Sequence, residues 1–412
     1  MNTVFFPKVL RALESTPILD MHTHLYPPDW MNLDRWGIDA MLTYHYLVAE
    51  TLRYVDMPYA RFFSMPRQEM ADLVWKKLFI EHSPVSEAAL GVLTVLKSLG
   101  LDPDERDLKS YRAYFRDITP EAYVNTVFDK AGIDRVVMTN WPLKKEEYNV
   151  WMSGKRPDER FLPALRIDPI INEWETCWSV LQDMGYNVSP VIDSGTKDEV
   201  RRFLRDWIIR MKPVYLCASM PPEFMLPSDT TGGVLFEECI MTIMEEFGLP
   251  VAIMLGAKKG VNPRMALGGD GEGKAHTEVL EYLCNKYPHQ KFLVTMLARE
   301  NMHELAVAAR KFRNLMPFGC WWFMNNPSLI DELMRMRVEM LGTSFIPQHS
   351  DAIIVDQLIY KWSHSRPILA RVLADRYEAL AETGFQVTDE EIRRDAELLL
   401  NENFVAFCNK QL

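Results

Sequence analysis

The sequence predicts a distorted (β/α)8 TIM barrel with a large helical insertion after its first strand and a C-terminal helix. Three observations carry that expectation. Eight short apolar segments punctuate the 412 residues, and most are separated by helical patterns. Their apolar character is continuous rather than alternating, as in parallel strands buried on both faces. Polar and ionisable residues recur at the C-terminal ends of the segments, where a barrel gathers its chemistry. An eight-stranded doubly wound sheet is the alternative, and the recurrence of polar strand ends all round the chain favours the barrel.

The first strand runs from about Pro17 to His22. About a hundred residues separate it from the second, and residues 33–117 read as several helices rich in aromatics and arginines, an insertion over the barrel mouth. The next segments are Ile133–Thr139, Phe161–Arg166, Pro213–Ala218, Pro250–Gly256, Lys291–Leu297, Phe318–Phe323 and, least strand-like, Phe345–Asp351. Between them Asp198–Met211, Val234–Phe247, His276–Tyr287 and Asn301–Asn314 carry apolar residues at helical spacing. The Gly- and Lys-rich stretch Gly256–Gly273 reads as a long functional loop. The tail opens on an N-cap pattern at Thr388 and continues as an amphipathic helix. No Gly/Ser linker divides the chain, so residues 1–412 read as one barrel domain.

Nearly half the residues are hydrophobic, a quarter are charged and the formal net charge is −11, which argues against nucleic acid or an anionic membrane as the main partner. No stretch approaches the ~20 apolar residues of a membrane helix, and the first residues lack a signal-peptide core. The six scattered cysteines read as reduced thiols of a cytoplasmic protein.

The chemistry begins at His22 and His24. At a spacing of two they face the same way from a strand and can reach one metal ion, with Asp20 on the same face. Further strand ends supply Arg166 and Asp168, then Lys258, Lys259, Arg264 and Asp270, then Trp321 and Trp322, and finally His349 and Asp351. Two histidines and a carboxylate leave open positions on a divalent cation, which suits catalysis. Such a metal polarises a carbonyl or lowers the pKa of bound water, and the carboxylate can serve as general base. Arg166 and Arg264 could grip a substrate carboxylate.

Plainer readings compete. Asp351 could cap the following helix, although the metal role is favoured, and His349 reads as a neighbour of the site rather than a ligand. One of Trp321 and Trp322 should be core, since strand neighbours face opposite ways. His276 and His289 read as surface or helix residues, His303 as structural, Lys258 and Lys259 as a loop edge, and Glu146 and Glu147 as a solvated helix face. There is no Gly-x-Ser-x-Gly elbow, Walker loop or dinucleotide fingerprint. The glycines of Gly268–Gly273 lack the strand-then-helix context of a phosphate site.

Asp20-Met21-His22-Thr23-His24 resembles the first-strand signature of the amidohydrolase superfamily. The chain as a whole resembles its uronate isomerase branch, through Thr43-Tyr44-His45-Tyr46, Leu165-Arg166-Ile167-Asp168, the run from Leu255 to Met265, Gly269-Asp270 and Gly319-Cys320-Trp321-Trp322-Phe323. The resemblance implies aldose–ketose isomerisation of a hexuronate, a proton transfer between C2 and C1 assisted by one divalent metal. His22, His24 and Asp351 would hold the metal, with Asp351 and Tyr46 catalytic. His45, Tyr46, Arg166, Arg264, Trp322 and His349 would surround the sugar acid. Zinc leads the candidate metals, with manganese, iron and cobalt behind it. Three positions depart from the family pattern: Met254 replaces a strand-five histidine, Asn140-Trp141-Pro142 replaces Asp-Asp-Pro, and Ala352-Ile353 stands where an arginine follows the last aspartate. These departures keep open a hydrolase or decarboxylase acting on a lactone, amide or carboxylated molecule, and a non-catalytic binding barrel. The expected partner is an anionic sugar acid, and a homo-oligomer is an open possibility.

Overall fold

The computed structural model describes residues 4–30 and 35–412. Seven parallel strands form one sheet: β1 (Ile18–Thr23), β2 (Ile133–Asn140), β3 (Phe161–Arg166), β4 (Leu216–Met220), β5 (Val251–Leu255), β8 (Phe292–Met296) and β9 (Leu315–Pro317), hydrogen-bonded in that order. The two remaining strands, β6 (Ala257–Lys258) and β7 (Gly271–Glu272), form an antiparallel hairpin. They brace the Gly256–Gly273 loop.

The eighth segment forms no ladder, yet it completes the ring. Ile346 pairs with Phe318 in a single parallel bridge. Pro347 follows and has no N–H to donate. At the other side, the Asp351 N–H donates to the His22 carbonyl at 3.1 Å and the His24 N–H to the Ala352 carbonyl at 2.8 Å. Between these contacts the Ser350 N–H is taken by the buried Asp20 carboxylate at 3.1 Å, a side chain standing in for a ladder acceptor.

The seventh strand lies upstream of its predicted place, at Leu315–Pro317 rather than Phe318–Phe323. Gly319 takes φ +63 and ends the extended run. Trp322–Met324 is a 3-10 turn, so Trp321 and Trp322 do not alternate as strand neighbours do.

Two apolar layers hold the fold. Inside the ring, Leu19, Met21, Val137, Ala164, Tyr215, Cys217, Ala252, Leu293 and Phe318 pack together. Phe404 and Phe407, from the last helix Asn403–Asn409, join that inner cluster. Outside the ring, helix faces pack on the sheet. The predicted tail helix starts with a capping box at Thr388 and Glu391. Unforeseen is the 26-residue helix Gln357–Glu382, which continues past Pro367.

Between β1 and β2 run the α-helices Ile38–Leu42, His45–Thr51, Tyr59–Phe63, Arg67–Trp75, Glu87–Ser98, Lys109–Arg116 and Pro120–Ala131. The predicted start of this region, Leu33, lies outside the described residues. All six cysteines are free thiols, five of them buried. Among the described residues no helix is long and apolar enough to cross a membrane.

Candidate active site

β1 carries His22 and delivers His24 one residue beyond its end, while the ring-closing segment delivers Asp351. The His24 Nε2 lies 3.2 Å from Asp351 Oδ1 and the His22 Nε2 lies 3.8 Å from it. One ligand atom from each of the three falls within 4.8 Å of the others. Asp351 sits at φ +52, a conformation that costs free energy for a non-glycine residue and recurs at functional sites.

The hydrogen-bond network assigns the tautomers. The Tyr215 hydroxyl donates to the Met21 carbonyl at 2.7 Å, so its oxygen accepts from the His22 Nδ1–H at 3.1 Å. The Thr139 hydroxyl donates to the Thr23 carbonyl at 3.0 Å and accepts from the His24 Nδ1–H at 2.7 Å. Each imidazole is thereby left with its Nε2 lone pair aimed at the common point. Asp351 Oδ1 is buried without a hydrogen-bond donor. Burial pushes this carboxyl up, but His24, His22 and His349 outweigh burial and hold it below the usual carboxylate range. Burial, and next the neighbouring His24, keep His22 neutral. Two imidazoles with their Nε2 atoms turned inward and an unsatisfied carboxylate fit a divalent cation, and those three residues would hold it.

Arg166 lines the same cleft. Its Nε and Nη2 bind Asp168 at 2.9 and 3.0 Å, and its guanidinium lies 5.1 Å from the Trp141 ring centre. Lys144 Nζ lies 4.4 Å from that ring centre. Trp141 thus carries two cations at the position where the resemblance led to an expected aspartate.

Glu147 is buried rather than a solvated helix face. Tyr26 donates its hydroxyl to it at 2.5 Å and the Trp141 N–H donates at 2.7 Å. It stands four residues before the buried Trp151, on the inward face of its helix, which is the signal a sequence reading could have used.

His22, His24, His45, Arg166, Trp322 and Asp351 all line the cleft. Three expected residues do not. Tyr46 turns inward, its hydroxyl buried and its ring 5.8 Å from the buried Lys361 Nζ, and Tyr44 lines the cleft instead, because it precedes the helix that turns Tyr46 away. Arg264 is exposed on the Pro263–Gly269 turn, whose neighbours Met265 to Gly268 face the cleft. His349 is fully buried behind His22, with ring centres 5.5 Å apart and both ring nitrogens unpartnered. Lys258 and Lys259 line the cleft, and Lys259 pairs with Asp270 at 2.8 Å. Trp321 is buried with an edge on the cleft, while Trp322 is half-buried at φ +46. His276, His289 and His303 are exposed.

Among solved structures, the chain is similar to a uronate isomerase from Bacillus halodurans, with 51% sequence identity and a TM-score of 0.97 over 99% of this chain and 97% of that one. The chain belongs to the uronate isomerase family. The fold is shared with a uronate isomerase from Thermotoga maritima at 15% identity and a TM-score of 0.69, the match covering 99% and 98% of the two chains. A glucuronate isomerase from Caulobacter crescentus shares it too, at 14% identity and a TM-score of 0.77 over 99% and 94%. No protein-family model matches the chain, and no curated protein does. Within this uronate isomerase, Met254 and Ile353 both line the cleft and offer no proton carrier and no charge there.

Proposed function

We propose that the protein is a metal-dependent aldose–ketose isomerase of a hexuronate, shifting a proton between C2 and C1. The observation that supports it most is the convergence of His22 Nε2, His24 Nε2 and Asp351 Oδ1, with both ring tautomers set by hydroxyl-to-carbonyl relays. When bound there, a divalent ion, zinc by this proposal, supplies polarisation of the substrate's oxygens.

The chain's own groups divide the remaining work. Ionised Asp351 accepts the proton leaving one carbon and returns it to the next. Burial raises the Tyr44 phenol well above its ordinary value, so it stays protonated and donates a hydrogen bond to a substrate oxygen. Arg166 has Nη1 without a protein partner among the described residues, because Asp168 occupies Nε and Nη2. That free N–H and the Lys258 ammonium hold the substrate carboxylate. The indole of Trp322 closes one wall, and His45, pulled down to about 4 by burial, faces it as a neutral ring. Met254 cannot carry a proton, which supports Asp351 as the carrier. The six free thiols support a reducing compartment, the cytoplasm.

Zinc-loaded protein incubated with glucuronate and with galacturonate tests the reading, with ketose formation as the readout. Ketose from either, lost in Asp351→Ala, is the expected result. Stoichiometric metal with no ketose from either sugar overturns the hexuronate assignment and moves the search to lactones and amides.

A further inference from the structure

The cleft over the histidines has a volume of about 1970 Å³. Small-molecule pockets run to ~300–1,000 Å³, so one hexuronate leaves much of it empty. Its two ends differ in chemistry. Beside the histidines the cleft is cationic, with Arg166 and Lys144 gathered on the Trp141 ring. The other end lies over the loops that follow β3 and β4, two and three strands round from β1. It presents Trp178 and Phe224 beside Glu173, Glu175 and Glu223.

Those three carboxylates have no ion-pair partner among the described residues. Trp174 is buried, lines the cleft and has an unpartnered Nε1–H. The Trp178 ring is half-exposed and pinned at its edge, where Nε1 donates to the Glu175 carbonyl at 3.1 Å. The wall is built by close approach: a Cβ on Gly232 would stand 2.3 Å from the Ile171 carbonyl oxygen, so the helix Thr231–Leu235 is seated directly against the turn Asp168–Asn172. Fixed aromatic faces take the apolar C–H face of a sugar ring, and free carboxylates accept its hydroxyl protons. The same carboxylates repel a second uronate.

We propose that the cleft binds a disaccharide. Its reducing residue is a hexuronate placed at the histidine cluster, and its second residue is a neutral sugar resting on Trp178 and Phe224. The proposal rests on the isomerase reading and adds to it the substrate's second ring. The chemistry stays within the reducing residue: hydrogen passes from C2 to C1 and a hydroxyl proton from O2 to O1. The glycosidic bond is untouched, and no co-reactant enters.

The test compares glucuronate with glucose linked to O4 of glucuronate, using metal-loaded protein. The disaccharide should show the higher kcat/KM. Trp178→Ala and Phe224→Ala should each lower that value about tenfold, the loss of one aromatic–sugar contact, and leave free glucuronate within about twofold. Turnover of glucuronate with neither turnover of nor inhibition by the disaccharide overturns the proposal. If neither sugar is turned over, the isomerase reading fails and calorimetry decides the subsite: disaccharide binding weakened by Trp178→Ala supports it, and absence of binding overturns it.

Discussion

The Nδ1 of His24 and the hydroxyl of Thr139 are 2.7 Å apart, and the direction of that hydrogen bond is dictated by a third atom, the Thr23 carbonyl that takes the hydroxyl's own proton. A threonine on the neighbouring strand therefore decides which nitrogen of His24 faces the cleft. Replacing Thr139 with valine keeps the shape and removes the acceptor. Affinity for zinc, measured by chelator competition, should fall ~10–100-fold. Thr139→Ser should restore most of it.

His22→Ala removes one of the three proposed ligands, a ring already positioned by Tyr215. Elemental analysis should find about one equivalent of metal in the wild type and a small fraction of that in the variant, with the circular dichroism unchanged. Retention of a full equivalent would place the metal elsewhere.

Gly319 holds φ +63, and a Cβ there would lie 1.7 Å from His349 Nδ1. Gly319→Ala should destabilise the protein by ~3 kcal/mol or more, combining backbone strain with the displaced ring. In the Gly319→Ala, His349→Ala double variant the steric part disappears and the backbone part stays. Chemical denaturation of the four proteins of that cycle separates the two.

Asp356 accepts hydrogen bonds from the Tyr123 hydroxyl and the Gly37 N–H, yet burial pushes its carboxyl up from 3.8 to about 6. The folded state therefore holds this proton more tightly than the unfolded chain. Its stabilising effect is complete below about pH 4 and is lost as pH rises through about 6. The difference amounts to ~3 kcal/mol. Asp356→Asn is neutral throughout, so its stability relative to wild type should rise by that order between pH 4 and pH 7. A constant difference across that range would refute the raised pKa.

Phe404 and Phe407 are both 4% exposed and belong to the inner cluster of the ring. Truncating either to alanine should cost ~3–5 kcal/mol. Thermal unfolding measures it, and a loss near zero would mean that the floor of the barrel closes without them.

The parts of the site that the sequence made legible are those governed by local period. His22 and His24 share a face because strand residues two apart do. Arg166 closes β3 and Asp168 opens the turn that follows, so nearness in the chain brings them together, and six of the strands fall within a few residues of their apolar runs. The rest depended on contacts between distant segments. Nothing local marks Thr139 or Tyr215 as partners of histidines 115 and 193 residues away. Tyr44 displaced Tyr46 because helix phase, invisible in a four-residue motif, decides which ring faces out. The β9 shift came from apolar residues that continue past the strand into a turn; the glycine at position 319 was the available signal. The helix Gln357–Glu382 escaped because Pro367 interrupts its pattern.

The seam between β1 and the ring-closing segment joins residues 330 positions apart in the chain, as in the bond from Ser350 to Asp20. Such pairing carries a large loop-closure entropy, so it belongs to the late, slow stage of folding. The two histidines lie on one side of that seam and Asp351 on the other. A folding intermediate with an open ring therefore has a histidine pair and no complete ligand set. With the proposed metal site, tight metal uptake during refolding becomes a clock for ring closure, and an ion held there would be a rivet whose removal loosens the seam first.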